Sequence, residues 1–243
     1  MSHLLPAGVY RLLRDTGKSN PNPILVGEAL STQTSGQIEA PLLCGDCEQR
    51  FNNRGERWVL QNCFREPGVF RIQEALKAAT PLHKLDEGAI YAGAQVANID
   101  VDALVYFAAS VFWRAAARHW ALLDHKGTLE LGPYQEQFRL YLLGQQAFPA
   151  NAALWVTVWL VPVLLSALRF GDARHGYHQH TFSVPGVTFH LFLGQRIPRG
   201  IRLACAARSP ERMIFLSLEM NASLIRGIGR HVLSTRATGS LGK

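Results

Sequence analysis

Apolar side chains recur at intervals of three and four along residues 101–124, where Leu104, Phe107, Ala108, Val111, Phe112, Ala115 and Leu122 fall on one stripe. That interval is the turn of an α-helix, so this stretch predicts the central core helix. Asp100 stands where its carboxylate can accept from the first free amides of that helix. Two shorter helices read the same way. Residues 6–15 set Val9, Leu12 and Leu13 against Arg11 and Arg14; residues 134–143 turn Phe138, Tyr141 and Leu142 inward and stop at Gly144.

From Leu154 onward the period shortens. Residues 154–161, 181–184, 188–193, 202–206 and 213–218 read as strands, separated by the turn signals Val184-Pro185-Gly186, Ile197-Pro198-Arg199-Gly200 and Arg208-Ser209-Pro210. Residues 24–29 and 89–97 suggest further small strands, and residues 31–36 a polar loop. The expected fold is α+β: an N-terminal knuckle-plus-helix element, central helices and a C-terminal antiparallel sheet. Three regions follow: residues 1–66, a helical and antiparallel-sheet body over 67–225 continuous with them, and a basic mobile tail over 226–243.

Residues 152–168 are apolar for almost their whole length, but a bilayer crossing takes about 20 residues and Pro162 interrupts the run. Their Val, Trp and Thr content favours a buried strand, and no membrane partner is expected. With 48% hydrophobic residues, the 243-residue chain can bury a sizeable core. The formal net charge is +7, with arginine supplying most of the cations. Its planar fork suits phosphate, so nucleic acid is an expected partner. Glycine-rich phosphate loops, dinucleotide turns and the nucleophile elbow of the α/β-hydrolases are absent from the sequence, which argues against those chemistries. Met1 to Tyr10 carries no basic segment followed by a long apolar run, so reduced thiols and a cytoplasmic location are expected. Cys63 and Cys205 read as small buried hydrophobes.

The strongest chemical pattern is Leu43-Cys44-Gly45-Asp46-Cys47-Glu48, followed by a predicted helix over 48–60 and preceded by Ser2-His3-Leu4-Leu5-Pro6. A Cys-x-x-Cys turn can aim two sulfurs at one metal ion. A histidine, an apolar pair and a proline upstream of Leu-Leu-Cys-x-x-Cys resembles the core of the HNH, or His-Me finger, endonucleases, which are treble-clef-like. A closer resemblance than to the full pattern is to bacterial proteins reading Ser-His-Ile-Ile-Pro, then Leu-Leu-Cys-x-x-Cys-Glu-x-x-Phe and a later Glu, matched here by Ser2 to Pro6, by Leu43 to Phe51 and by Glu56. The fuller pattern has a further Cys-x-x-Cys before the histidine and an asparagine after the second cysteine. Here nothing matches the first pair, and the second position is Glu48.

In the HNH family a hairpin carries the catalytic histidine and the following helix supplies a metal ligand. The resemblance therefore implies a metal-dependent nuclease in which His3 takes a proton from the attacking water. A divalent ion, Mg or Mn, would be held by Glu48 and by Glu56 or Asn52. Cys44 and Cys47 supply half of a zinc site, so either other residues complete the ligand set or the metal has been lost. Arg50, Arg54 and Arg57, four and then three apart, would share a helical face turned to the nucleic-acid backbone, with Phe51 and Trp58 on the buried side. The alternative is a noncatalytic subunit that keeps the knuckle as a fold element and binds nucleic acid, a protein partner or a second copy of itself. Arg114 and Arg118, with His119, read as an ion-paired or exposed face rather than a phosphate-binding edge. A second constellation is His175, His178 and His180, with His190 in the next strand; if extended, His178 and His180 share a face.

Overall fold

The computed structural model describes residues 1–14, 17, 19–27, 29–120, 129–163, 166–174 and 176–238. The N-terminal part contains β1 (Ser2–His3), α1 (Ala7–Leu12), β2 (Ile24–Val26), β3 (Leu30–Gln33), β4 (Glu39–Ala40) and α2 (Gly45–Phe51). A π-helical turn, Asn52–Glu56, joins α2 to α3 (Arg57–Asn62), so the helix axis continues through all three. There follow α4 (Arg71–Ala78), β5 (His83–Leu85), β6 (Gly88–Ala92), α5 (Val101–Ala117) and α6 (Gln135–Leu143). The C-terminal part holds β7 (Ala152–Trp159), β8 (Ala167–Arg174), β9 (Tyr177–Val184), β10 (Val187–Leu193), α7 (Arg199–Leu203), β11 (Met213–Ser217), α8 (Glu219–Ser234) and β12 (Arg236–Thr238).

The fold is α+β with a C-terminal antiparallel sheet. Seven strands run in the order β5-β6-β11-β7-β10-β9-β8, antiparallel throughout except where β11 lies parallel to β7. The β9–β10 hairpin closes on Pro185-Gly186, and Gly186 takes the left-handed conformation (φ 80°) that such a turn asks of its second residue. β1 and β4 pair with each other, and β12, β3 and β2 form a third, three-stranded sheet.

Helix α5 lies against the face of the large sheet that carries Phe182 and Phe189. Phe107 and Phe112 meet Phe182 at ring-centroid distances of 5.9 and 4.9 Å, and Phe182 stacks on Phe189 at 4.8 Å. All four rings are fully buried. Burying one such side chain stabilises by about 1.5–3 kcal/mol. The predicted stripe is wider than expected, since α6, α3 and the π turn cover the helix on its other sides and bury Ser110 and Arg114 as well. Asp100 caps α5, accepting from the Ala103 amide at 2.8 Å. One cluster of buried side chains runs from Leu4, Leu5 and Val9 through Phe51 and Val59 to α5 and the sheet. A smaller one, Ala153, Phe192, Ile197 and Cys205, lies on the opposite face of the sheet, where the Trp155 indole donates to the Ile201 carbonyl of α7 at 2.9 Å.

Several expectations need correction. The stretch 31–36 is not wholly a loop: Leu30–Gln33 is a strand because Arg236–Thr238 pairs with it from the other end of the chain. Residues 202–206 are not a strand. Pro198 starts α7, and the Arg202 side chain folds back to the Ile197 and Gln195 carbonyls, closing the segment locally. Where a mobile basic tail was expected from residue 226, α8 continues to Ser234 and is followed by β12; residues 239–243 lie outside the described residues. The helix predicted over 101–124 ends at Ala117, where Arg118 turns extended and donates to the Pro41 carbonyl at 2.8 Å; residues 121–128 lie outside the described residues. No helix among the described residues is long and apolar enough to cross a membrane, and the apolar run from residue 152 is β7.

Candidate active site

His3 is placed by a two-stranded ladder. Ser2 lies opposite Ala40 and His3 opposite Glu39, and the Leu4 amide extends the pairing by donating to the Ile38 carbonyl at 2.9 Å. The Ser2 hydroxyl accepts from the Leu43 amide at 2.9 Å, which ties the start of the chain to the residue before Cys44. Helix α2 follows at once, so strand, strand and helix enclose one corner. The His3 Nε2 atom is 3.4 Å from the Glu39 carboxylate, and the ring lies 6.3 Å from that of Tyr10. Tyr10 is itself held in place, its hydroxyl accepting from the Ile38 amide at 3.3 Å, and burial pushes its pKa up to about 12.

A cavity of about 400 Å³ opens between this ladder and the α2–π–α3 helix, and its wall includes His3, Glu48, Asn52, Glu56 and Arg114. Glu48, Asn52 and Glu56 are four residues apart. In a regular α-helix each step of four overshoots a full turn by about 40°. The π turn fits one more residue into the turn and reduces that drift, keeping all three on the cavity side. Gly55 makes the packing of this turn possible. A Cβ there would stand 2.8 Å from the Phe107 amide nitrogen and 3.0 Å from the Ala103 carbonyl, both backbone atoms of α5.

Arg114 closes the bottom of the cavity from α5, with 1% of its surface exposed. Its Nη2 pairs with the Glu56 carboxylate and its Nη1 donates to the His3 carbonyl at 3.2 Å. The guanidinium also lies 5.0 Å over the Phe51 ring. Two buried polar atoms of cavity-lining residues find no hydrogen-bond partner among the described residues: Glu48 Oε1 and Arg114 Nε. Enclosing a polar atom without a partner costs free energy.

The three arginines expected on one face are divided. Arg50 donates to the Leu143 carbonyl at the end of α6 at 2.8 Å, and the Arg54 guanidinium lies 4.7 Å over the Tyr106 ring. Arg57, beyond the π turn, is exposed. The cavity wall includes none of the three among its described residues.

Cys44 caps α2 and is exposed, while Cys47 is half-buried; both thiols are free. Hydrogen bonds from the Cys47 amide and thiol hold the Cys44 pKa below its usual range, and the same thiol contact raises that of Cys47. Among the described residues, no group of three or more His, Cys, Asp or Glu side chains is arranged to hold a metal ion. The donor set nevertheless suits a hard cation that takes only part of its shell from protein. Glu48 offers an unpartnered carboxylate oxygen and Asn52 an amide carbonyl, while Glu56 is engaged by Arg114.

His178 and His180 share a face, their rings parallel to within 7° and 6.4 Å apart. His175 lies outside the described residues. His190 pairs with Thr181 in the ladder and so projects from the opposite face, where its Nδ1 meets the Thr181 hydroxyl at 3.1 Å and burial lowers its pKa to about 4.

Glu39, Tyr10 and Arg114 were not among the residues assigned to the site from sequence. Glu39 and Tyr10 carry no local signal. The sequence pattern favours an ion-paired or exposed Arg114; it is ion-paired, and inside the core. Comparisons with protein-family models, with curated proteins and with solved structures find no match.

Proposed function

We propose that this protein is a divergent, metal-dependent nuclease of HNH type that hydrolyses phosphodiester bonds. The observation that carries the reading is the cavity in which a strand-borne histidine faces a helix-borne glutamate whose buried Oε1 has no partner among the described residues.

In this reading His3 takes a proton from water as the water attacks phosphorus. Glu39, next to Nε2, orients the ring and stabilises the imidazolium that forms, as a carboxylate does in a His-Asp pair. Glu48 and Asn52 are the residues that would hold a Mg or Mn ion. When bound, such an ion neutralises charge on the phosphate and on the leaving oxygen. Arg114 holds Glu56 and the His3 main chain in place beneath them. Zinc at Cys44 and Cys47 is a separate proposal that needs further ligands. Nucleic acid as substrate is supported by the net charge of +7, and the cytoplasm is the compartment that suits four free thiols.

The test is cleavage of plasmid DNA, single-stranded DNA and RNA with Mg or Mn, comparing the native protein with His3→Ala. The expected result is cleavage that falls about a hundredfold or more in the variant, the usual contribution of a general base. A native protein that leaves all three substrates intact with both metals overturns the reading. One observation favours a second, noncatalytic reading: Arg114 already neutralises Glu56, and among the described residues Glu48 is the carboxylate of the cavity wall with no such ion pair. A subunit of that kind binds nucleic acid equally well with alanine at position 3.

A further inference from the structure

We propose that Cys44 and Cys47 form a thiol–disulfide exchange pair, Cys44 attacking the disulfide of a small, water-soluble substrate and Cys47 resolving the mixed disulfide that forms. This chemistry uses neither His3 nor the cavity, so it stands or falls independently of the phosphodiester reading.

The two sulfurs meet water differently. Cys44, at the N-terminal cap of α2, is exposed, and so are Pro41, Gly45 and Asp46 around it, which leaves its sulfur on an open surface that a substrate can reach. Cys47, in the first turn of the helix, is half-buried, and its thiol donates a hydrogen bond to the Cys44 sulfur. With the rise and radius of an α-helix, α-carbons three residues apart stand about 5 Å from each other. A disulfide accepts about 4.4–6.8 Å, so the pair can close without unwinding α2. The other two cysteines are enclosed. Cys63 is part of the main core, and Cys205 lies in the small cluster on the far face of the sheet, where its sulfur accepts from the Leu154 amide at 3.3 Å. Exchange in the folded protein is therefore confined to one pair.

In the first step the Cys44 sulfur, having lost its proton to solvent, attacks one sulfur of the substrate. The substrate S–S bond breaks, and the departing thiolate takes up a proton. Cys47 then gives up its proton and attacks the Cys44 sulfur of the mixed disulfide. A bond forms between the two protein sulfurs, and the second half of the substrate leaves as a thiolate that is protonated in turn. Two protein thiols are oxidised to one disulfide while the substrate disulfide is reduced to two thiols, so the substrate is the only oxidant required. The exchange needs the two sulfurs alone, whereas zinc at the same pair would need further ligands.

The test mixes the reduced full-length protein with oxidised glutathione, with and without EDTA, stops the reaction in acid at intervals, and reads intact mass and then peptide masses. The native chain is expected to end lighter by two hydrogens, with Cys44 linked to Cys47, after passing through a transient glutathione adduct on Cys44. Cys47→Ser is expected to stop at that adduct, one glutathione per chain, and Cys44→Ser to lose the rapid reaction. If either variant does not fold, the time course and peptide map of the native protein decide alone. A native adduct on Cys44 that never resolves overturns the proposal, as does a first adduct on Cys47 or no reaction at all. A native protein that reacts only once EDTA is present, releasing zinc as it does so, also overturns it and marks the pair as a metal site.

Discussion

The Arg114 guanidinium donates to the main-chain carbonyl of His3 at 3.2 Å, across 111 residues of sequence, and with its second arm pairs with Glu56. The strand that carries the histidine and the turn that carries the glutamate are thus held by one buried side chain. Removing one partner of a buried ion pair leaves the other uncompensated, at a cost of about 3–5 kcal/mol. Arg114→Met is expected to lose about that much in urea unfolding. Glu56→Gln added to it should recover part of the loss, because the unpaired carboxylate is then gone. A double-mutant cycle that gives no coupling between the two positions would contradict the pair.

Gly55 stands where the π turn touches α5, and the atoms that a methyl group would meet are backbone. Alanine is worth up to about 1 kcal/mol over glycine in a helix, whereas overpacking costs about 1–3 kcal/mol. Gly55→Ala is therefore expected to lower the melting temperature rather than raise it. Thermal unfolding read by circular dichroism decides the sign.

His190 gives the stability a pH dependence. Burial lowers its folded pKa to about 4, whereas an unfolded histidine titrates near 6.5, so between these values the unfolded chain binds the extra proton. Stability from this group is complete above about pH 6.5 and is lost as the pH falls towards 4, by an amount on the order of 3 kcal/mol. His190→Gln should flatten the acid side of a curve of stability against pH and leave the region above pH 7 nearly unchanged in slope. An acid limb identical in the two proteins would show that His190 does not titrate in unfolding.

The four thiols should separate by reactivity. Cys44 is exposed and its thiolate is favoured by hydrogen bonds from Cys47, while burial pushes Cys63 up to about 12. The thiolate is the species that reacts. Brief treatment of the folded protein with iodoacetamide, followed by peptide mass spectrometry, should find label on Cys44 well before Cys47, with Cys63 and Cys205 protected. Early labelling of Cys47 would reverse the assignment of the lowered pKa.

Elements governed by a local period were legible in the sequence: the stripe of α5, the Asp100 cap, the Pro185-Gly186 turn, and the shared face of His178 and His180. Each depends on residues within a few positions of one another, and helix and strand geometry translate such spacings directly into faces. The resemblance of residues 2–6 and 43–56 to a known motif likewise pointed to His3, Glu48 and Glu56, which all line one cavity.

Tertiary structure decided everything that required a distant partner. Leu30–Gln33 became a strand because β12 pairs with it, and Arg50 and Arg54 went to Leu143 and Tyr106 because α5 and α6 pack beside their helix. Glu39 faces His3 only through the ladder, and Arg114 became the base of the cavity because the core closed around it. A local pattern states which side of an element is apolar, but not which element will cover it. An arginine with the same neighbours in sequence can lie in water or beneath a cavity, and at residue 114 the choice was made by helices and strands up to 111 positions away.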